Sequence, residues 1–293
     1  MEFNRMDRMK VIVFGGSGFL GSHVADALTA LGYEVTVFDM RQSPYLQRGQ
    51  KMIVGNILDK DVVNTTVANH DVVYNFAGVA DIQKAHENPI ATVSNNILGN
   101  TLILEACRLH KIKRFVFAST IYVYSNTGSF YRSSKQSCEL IIENYHEVYG
   151  LPYTILRYGS LYGPRADDTN WIRKTLKQAI TEGKITRYGN GDELREYIHV
   201  EDAAKCSVAI LVDNFVNQSV IITGQQSMKV RDVMIMIREM LGNKIELEFL
   251  PTDSDLHYQI TPYTFSPKVA RRLIPNSYLD LGQGLLKYLE EIY

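Results

Sequence analysis

Along the first half of the chain, short runs of β-branched and aromatic residues alternate with longer stretches whose apolar positions recur every three or four residues. Lys10–Phe14, Glu34–Asp39, Met52–Val54, Asp71–Phe76, Arg114–Ala118 and Tyr153–Arg157 read as strands. Phe19–Leu31, Asp59–Val67, Pro89–Leu109 and Tyr131–Tyr149 read as the helices between them. Strands that alternate with helices build βαβ units, so the expected fold class is α/β, with six parallel strands in a doubly wound sheet. Many unrelated activities share such sheets, so function has to be read from sites.

After Gly159 the texture changes, because polar stretches such as GPRADDTNW and GNGDELRE interrupt the alternation. A helix is expected over Trp171–Thr181, a strand over Tyr197–Val200 and a helix over Asp202–Val212. Val220–Ile222 and Ile245–Leu250 read as strands, Val230–Leu241 as a helix, and a last helix starts at Leu279. The division expected is 1–158 for the regular sheet and 159–293 for a smaller C-terminal substrate-binding lobe, with interleaving of the two left open. The chain shows no internal repeat and no low-complexity linker.

Composition narrows the class without choosing a function. The 293 residues are 45% hydrophobic and 22% charged, which fits neither disorder nor a fibre. Lys and Arg total 31 against 32 Asp and Glu, a net charge of −1, so no global field attracts nucleic acid or anionic lipid. Cys107, Cys138 and Cys206 lie far apart with no Cys-x-x-Cys pair, so neither a metal knuckle nor a disulfide framework is expected, and a reducing compartment suits them. The start MEFNRMDRMK lacks the apolar core of a signal peptide, and no stretch reaches the ~18 apolar residues of a membrane span. The expectation is a soluble cytoplasmic protein that binds no metal.

The strand VIVF runs into GGSGFLGSH, which spaces Gly15, Gly18 and Gly21 three residues apart at a helix start. Glycines there allow a tight turn, a close approach to a pyrophosphate, and close helix–strand packing, while the first amide N–H groups of the helix face the phosphates. The second strand ends at Asp39, eighteen residues after Gly21. A carboxylate there accepts both ribose hydroxyls of adenosine and repels a 2′-phosphate, which favours NAD over NADP; Arg41, two residues on, softens that preference. This makes the expected sheet Rossmann-type. Asn56 and Ile57 after the third strand are placed to flank an adenine, although Asn56 and Asp59 are equally good helix caps.

Tyr131 and Lys135 stand four apart on an expected helix and so share a face. An ammonium beside a phenol favours the phenolate, which would make Tyr131 a base toward a substrate alcohol. Thr120 in ASTIYVY, at the end of the fifth strand, can hydrogen-bond the same oxygen, on the sheet edge where ligands bind in this architecture. A Tyr-x-x-x-Lys pair alone is common among 18 tyrosines; its weight comes from its order along the chain after the glycine loop, the strand-end acid and the strand-end hydroxyl.

Together these residues resemble the extended short-chain dehydrogenase/reductases, in particular the NAD-dependent epimerase/dehydratase group that acts on nucleotide sugars, and the resemblance covers nearly the whole chain. GGSGFLGSH is similar to that family's cofactor loop, which implies NAD contacts from Gly15, Gly18, Phe19, Leu20 and Gly21. NFAG at Asn75–Gly78 and NNILGN at Asn95–Asn100 imply nicotinamide-side contacts from Phe76, Ala77, Gly78 and Asn96, and RYGSLYGP implies one from Tyr158. The catalytic set implied is Thr120, Tyr131 and Lys135. REYIHVEDAA is similar to the segment in which an arginine meets the sugar-nucleotide diphosphate, which assigns Arg195, with Asp81 and Ser160 as further substrate contacts. Arg195 as an exposed partner of Glu193 or Glu196 is the competing reading, while His199 reads as a packed structural residue and Asp202 as a helix N-cap.

Departures from the family pattern sharpen the expectation. Sugar 4,6-dehydratases carry an acid and a base just after the threonine and the related decarboxylases a glutamate, whereas this chain has Ile121 and Tyr122, so both reactions are disfavoured. What remains is 4-epimerisation through a 4-keto intermediate, with an NAD(P)H-dependent 4-keto-sugar reductase or a non-catalytic NAD-binding redox sensor as the alternatives. Ser160 stands where many relatives have asparagine, and HYQITPYTFSP holds no clear match to a nucleotide-bracing arginine, so the nucleotide stays open. The connection from Thr120 to Tyr131 is short, which predicts a pocket open on that side. The resemblance also implies a homodimer through a four-helix interface made by Pro89–Leu109 and Tyr131–Tyr149.

Overall fold

A computed structural model describes residues 9–251, 257–260, 271–274 and 277–292. Residues 1–8 of the starting segment and 261–267 of HYQITPYTFSP lie outside the described residues. The first half runs β1 (Lys10–Phe14), α1 (Phe19–Ala30), β2 (Glu34–Asp39), β3 (Lys51–Val54), α2 (Lys60–Val67), β4 (Val72–Asn75), α3 (Ile82–Glu87) and α4 (Pro89–Thr92). A π-helical segment, Val93–Leu98, joins α4 to α5 (Gly99–Leu109), followed by β5 (Arg114–Thr120), a 3-10 turn at Ile121–Tyr124, α6 (Ser129–Tyr149) and β6 (Tyr153–Tyr158). The second half comprises β7 (Ser160–Tyr162), α7 (Trp171–Glu182), β8 (Lys184–Tyr188), β9 (Leu194–His199), α8 (Val200–Ala209), β10 (Gln218–Ile222), β11 (Ser227–Lys229), α9 (Val230–Met240), β12 (Glu246–Leu250), β13 (Arg271–Arg272) and α10 (Leu281–Ile292).

The main sheet has eight strands in the order β13-β10-β6-β5-β4-β1-β2-β3, every pairing parallel. Six were expected; β10 and β13 extend the sheet from the second half of the chain, with Gln218–Ile222 in register against Thr154–Tyr158. A run such as VII is apolar because both sheet faces are covered, and nothing local in it says which sheet it joins. Strand order reverses on either side of β1, which opens a crevice beyond the C-terminal ends of β1 and β4.

Alternation along β1 sends Val11 and Val13 into one layer and Ile12 and Phe14 into the other. The first layer packs on α1 and α8 through Leu28, Ala203 and Ala204, and the second on α2, α5 and α6 through Val63, Leu104, Cys107 and Ile142. A third cluster, with Leu176, Met234 and Leu285, holds α7, α9 and α10 around the small sheets β11-β9-β7 and β12-β8. Asp202 does not cap α8: that place falls to His199, whose ring accepts the Glu201 N–H at 3.3 Å, while the Asp202 carboxylate sits inside the first turn and accepts the Leu279 N–H at 3.0 Å. Among the described residues no helix is long and apolar enough to cross a membrane, and no cluster of metal-binding side chains forms.

Candidate active site

The glycine loop closes β1 onto α1 with little room to spare. Gly15 has φ +75°, donates its N–H to Phe38 O at 2.8 Å, and a Cβ there would lie 2.6 Å from Ala77 N. A Cβ on Gly21 would reach 2.3 Å from Gly15 O, so both positions require glycine for packing. At Gly18, the N-cap of α1, the nearest obstacle to a Cβ is Gly15 O at 3.2 Å. No side chain caps α1 and its first turn holds no acid, so the N–H groups over Phe19 and Leu20 remain available to an anion. Asp39 at the end of β2 accepts the N–H of Ser17 from this loop (3.1 Å) and that of Arg41 (3.3 Å), which fixes a half-buried carboxylate beside the loop. An uncapped helix start over a glycine turn, with a carboxylate one strand away, fits a dinucleotide with a free adenosine ribose.

Not every residue expected at the cofactor turns its side chain there. Ile57 is buried and supports the helix layer, its Cδ1 only 2.7 Å from where a Cβ on Gly99 would be. Tyr158 donates or accepts through its hydroxyl with Ser207 Oγ at 2.6 Å inside the α8 layer, and its ring lies 6.4 Å from Phe76. Asn96 is saturated: its Oδ1 accepts Val79 N–H (2.7 Å), and its Nδ2 donates to Val79 O (3.0 Å) and Ser134 Oγ (2.9 Å). It therefore ties the loop after β4 to α6, close above Gly78, whose φ is +142° and whose Cβ would strike Asn96 Oδ1. Asn56 uses its Oδ1 on Leu58 N–H, and Asp59 caps α2. Phe76 and Ala77 are half-buried just past the end of β4, with the Phe76 ring stacked on Tyr74 at 5.9 Å.

Thr120, Tyr131 and Lys135 come together where β5 ends against α6. Thr120 Oγ1 accepts the Tyr122 N–H at 3.2 Å, and its hydrogen bond to Tyr131 opposes the effect of burial, which pushes the Tyr131 phenol up to about 12. Lys135 Nζ donates to Ala118 O at 2.8 Å, lies over the Phe117 ring at 4.7 Å, and is 6.0 Å from the centre of the Tyr131 ring. Burial lowers the Lys135 pKa. The expected lowering of the phenol by Lys135 does not appear in the protein alone: burial raises the phenol, and Thr120 is the group that lowers it.

Beneath this trio lies a buried ion pair that sequence reading missed. Arg157 of β6 makes a fork to Glu139 of α6 (Nε to Oε1 3.0 Å, Nη2 to Oε2 2.8 Å), Ser119 donates to the same carboxylate at 2.6 Å, and Arg157 Nη1 donates to the Tyr124 hydroxyl at 2.5 Å. It locks α6 to β5 and β6 one helical turn past Lys135.

The far wall is aromatic and basic. Arg195 is buried, donates to Leu194 O at 2.9 Å, and lies 4.1 Å over the Tyr258 ring. Among the described residues it has no acidic partner: Glu193 pairs with Arg187 and Glu196 with Arg272. Tyr258 packs on Tyr122 at 4.7 Å, the Tyr122 hydroxyl meets His257 Nδ1 at 2.7 Å, and the Tyr122 ring stands edge-on to Tyr131 at 6.2 Å. The side expected to be open is therefore closed. The short connection leaves a space that His257 and Tyr258 fill from the C-terminal lobe, anchored by Leu194 N–H to Gln259 O at 2.8 Å. Asp81 caps α3 through Lys84 N–H (2.6 Å) and partly offsets the burial that lowers the His257 pKa; Ser160 opens β7 opposite Tyr197. Beyond Arg187, a groove of about 450 Å³ runs between α7 and β8, with Trp171, Arg187 and Tyr188 along it. No local pattern announces Tyr122 with His257, since 135 residues separate them.

Comparison with known proteins agrees with this geometry. The profile of the NAD dependent epimerase/dehydratase family matches residues 11–222. The chain is 29% identical over 271 residues to a UDP-N-acetyl-alpha-D-glucosaminuronate decarboxylase of Bacillus cytotoxicus, covering 83% of this chain and 84% of that one. It is 28% identical over 296 residues to a putative UDP-glucose 4-epimerase of Methanocaldococcus jannaschii, covering 94% and 95%. In structure it is similar to a UDP-glucuronic acid 4-epimerase from Bacillus cereus crystallised with UDP-glucuronic acid and NAD, at TM-score 0.82 and 25% identity, with 97% and 100% covered. The glycine turn, the strand-end carboxylate and the matched profile lead to one conclusion: the chain belongs to the NAD-dependent epimerase/dehydratase family, and its cofactor is NAD.

Proposed function

We propose that the protein is a nucleotide-sugar 4-epimerase that works through a 4-keto intermediate. The observation that carries this reading is the meeting of Thr120, Tyr131 and Lys135 at the end of β5, with Ile121 and Tyr122, not carboxylates, following the threonine. Tyr131 takes the proton of the C4 hydroxyl and Thr120 hydrogen-bonds the same oxygen. Bound NAD supplies the hydride acceptor. With its phenol raised to about 12, Tyr131 stays protonated until positive charge gathers near it, and Lys135, whose Nζ is 6.0 Å from the ring centre, is placed to supply it. Arg195, already desolvated and without a carboxylate partner among the described residues, suits a diphosphate. The nucleoside end then lies toward the groove at Trp171, Arg187 and Tyr188.

The relatives named above act on UDP-sugars, which supports the substrate class without choosing the reaction. A panel of UDP-, GDP-, dTDP- and CDP-sugars tests it, with inversion at C4 followed by NMR. One sugar should invert, Tyr131→Phe should lower the rate by about 100-fold or more, and acid-denatured protein should release stoichiometric NAD. No turnover across the panel, or a Tyr131→Phe enzyme as fast as the parent, overturns the reading.

We also propose that two copies pair through the outer faces of α4–α5 and α6, where Ile90, Val93, Leu98 and Leu140 are exposed.

A further inference from the structure

We propose that Tyr122 and His257 form a second proton-transfer pair, which acts on a ring carbon next to the C4 ketone. The inference rests on the 4-keto reading above and adds a step to it. Tyr74, packed in the core, ends on a backbone oxygen, donating to Ser207 O at 2.8 Å. Tyr122 ends instead on an imidazole nitrogen, 2.7 Å away, which can accept its proton. The pair lines the candidate site. The Tyr122 ring is 6.2 Å from that of Tyr131 at 73°, and Tyr258, 4.7 Å from Tyr122, carries Arg195 on its ring. Burial lowers the His257 pKa most; among the described residues Arg195 and Arg187 lower it further, while Glu193 and Asp81 raise it. The net direction keeps the ring neutral and burial holds the Tyr122 phenol protonated, so the pair is uncharged at rest and its proton moves only in step with the one taken from carbon.

The chemistry follows from the ketone. Once hydride has left C4, the C–H bonds at C3 and C5 are acidified by the carbonyl. Tyr122 Oη takes the proton of one of these carbons as its own proton passes to His257 Nδ1. The C–H electron pair becomes the C=C bond of an enolate, and the carbonyl π pair moves onto the C4 oxygen, where Tyr131 and Thr120 donate hydrogen bonds. Return of a proton from Tyr122 to carbon, and of the His257 proton to Tyr122, restores the ketone and both side chains. No oxidant beyond NAD enters. Because the Tyr122 and His257 protons exchange with water, each cycle replaces a carbon-bound hydrogen with one from solvent.

The test is turnover in D₂O with NAD and the sugar panel, reading hydride transfer by NADH absorbance and C4 inversion, and deuterium at C3 and C5 by NMR. The parent enzyme should place deuterium at one of these carbons. Tyr122→Phe, which keeps the ring in its packing, and His257→Asn should each lower deuterium gained per hydride transferred by about 100-fold. A purely structural role would slow both events together and leave that ratio unchanged, which overturns the proposal, as does a parent enzyme that inverts C4 with no deuterium on carbon. Absence of hydride transfer from every sugar overturns the 4-keto reading, and this inference with it.

Discussion

At the scale of single residues, the most demanding arrangement is the Arg157–Glu139 pair, whose side chains are 2% and 0% exposed. Taking two charges out of water is costly, and the fork, the Ser119 hydroxyl and the Tyr124 hydroxyl are what offset it. Arg157→Met removes one charge and strands the other, with an expected loss of about 3–5 kcal/mol. Arg157→Met with Glu139→Gln should recover most of that loss, because no uncompensated charge remains. Urea unfolding at constant m-value checks both; a single variant within about 1 kcal/mol of the parent would show that water or a relaxed side chain already screens the site. Lys135 stands one turn away on α6 and is sensitive to Glu139, so the same single variant should also perturb Tyr131-dependent turnover. How legible such residues were depends on how local their partners are. Gly15, Gly18, Asp39, Thr120, Tyr131 and Lys135 are spelled out within short motifs, and the structure gathers each group. Asn96 and Ile57 carry side chains of the right chemistry in the right motif, but packing turns them toward Val79 and Gly99. Arg157 with Glu139 and Tyr122 with His257 are joined only by the fold, and no spacing announces them.

At the scale of elements, β1 and β2 are found with the bounds the pattern predicts, because central parallel strands are buried on both faces and their apolar runs end sharply at glycine and aspartate. The assignment of β10 to the main sheet was not legible, since its apolar run is equally suited to either lobe. The periodicity of Pro89–Leu109 predicts one helix; the structure has α4, a π-helical segment and α5, and the extra residue per turn falls at Asn96, which must reach both Val79 and Ser134. The outer surfaces of these helices decide the proposed pairing. Ile90 is 82% and Leu140 53% exposed, so lysine at either position costs the monomer little while placing charge at the centre of the expected four-helix contact. Sedimentation should show a dimer for the parent and a monomer for Ile90→Lys with Leu140→Lys. A parent that sediments as a monomer at high concentration ends the proposal.

At the scale of the whole molecule, the chain buries several weakly acidic side chains. Tyr74, Tyr158, Tyr162 and Tyr197 are each at most 5% exposed, and burial raises the pKa of every one of them above the model-peptide value of 10.0. Burial also raises Cys107, pushes Cys138 up to about 12 and pushes Cys206 up to about 11, against 9.0 for a free thiol. The sign is set by which state holds its protons. Below pH 9 both folded and unfolded chains keep these protons, and the groups contribute nothing to the pH dependence. Above pH 9 the unfolded chain releases thiol protons, and above pH 10 tyrosine protons, while the folded chain retains them, so stability falls as pH rises. Each group contributes about 1.4 kcal/mol per pH unit in its window. The four tyrosines alone therefore remove about 5–6 kcal/mol per unit above pH 10, against a total of about 5–15 kcal/mol for a typical domain. The urea midpoint should hold steady from neutral pH to about 9 and then drop with increasing steepness, and the protein should unfold before these tyrosines ionise in place. Tyrosinate absorbance and loss of helical circular dichroism would then share one cooperative transition. Ionisation of the buried tyrosines spread over a broad range, with the dichroism intact, would mean that they reach water in the folded state and that the two cores holding them are looser than their packing implies.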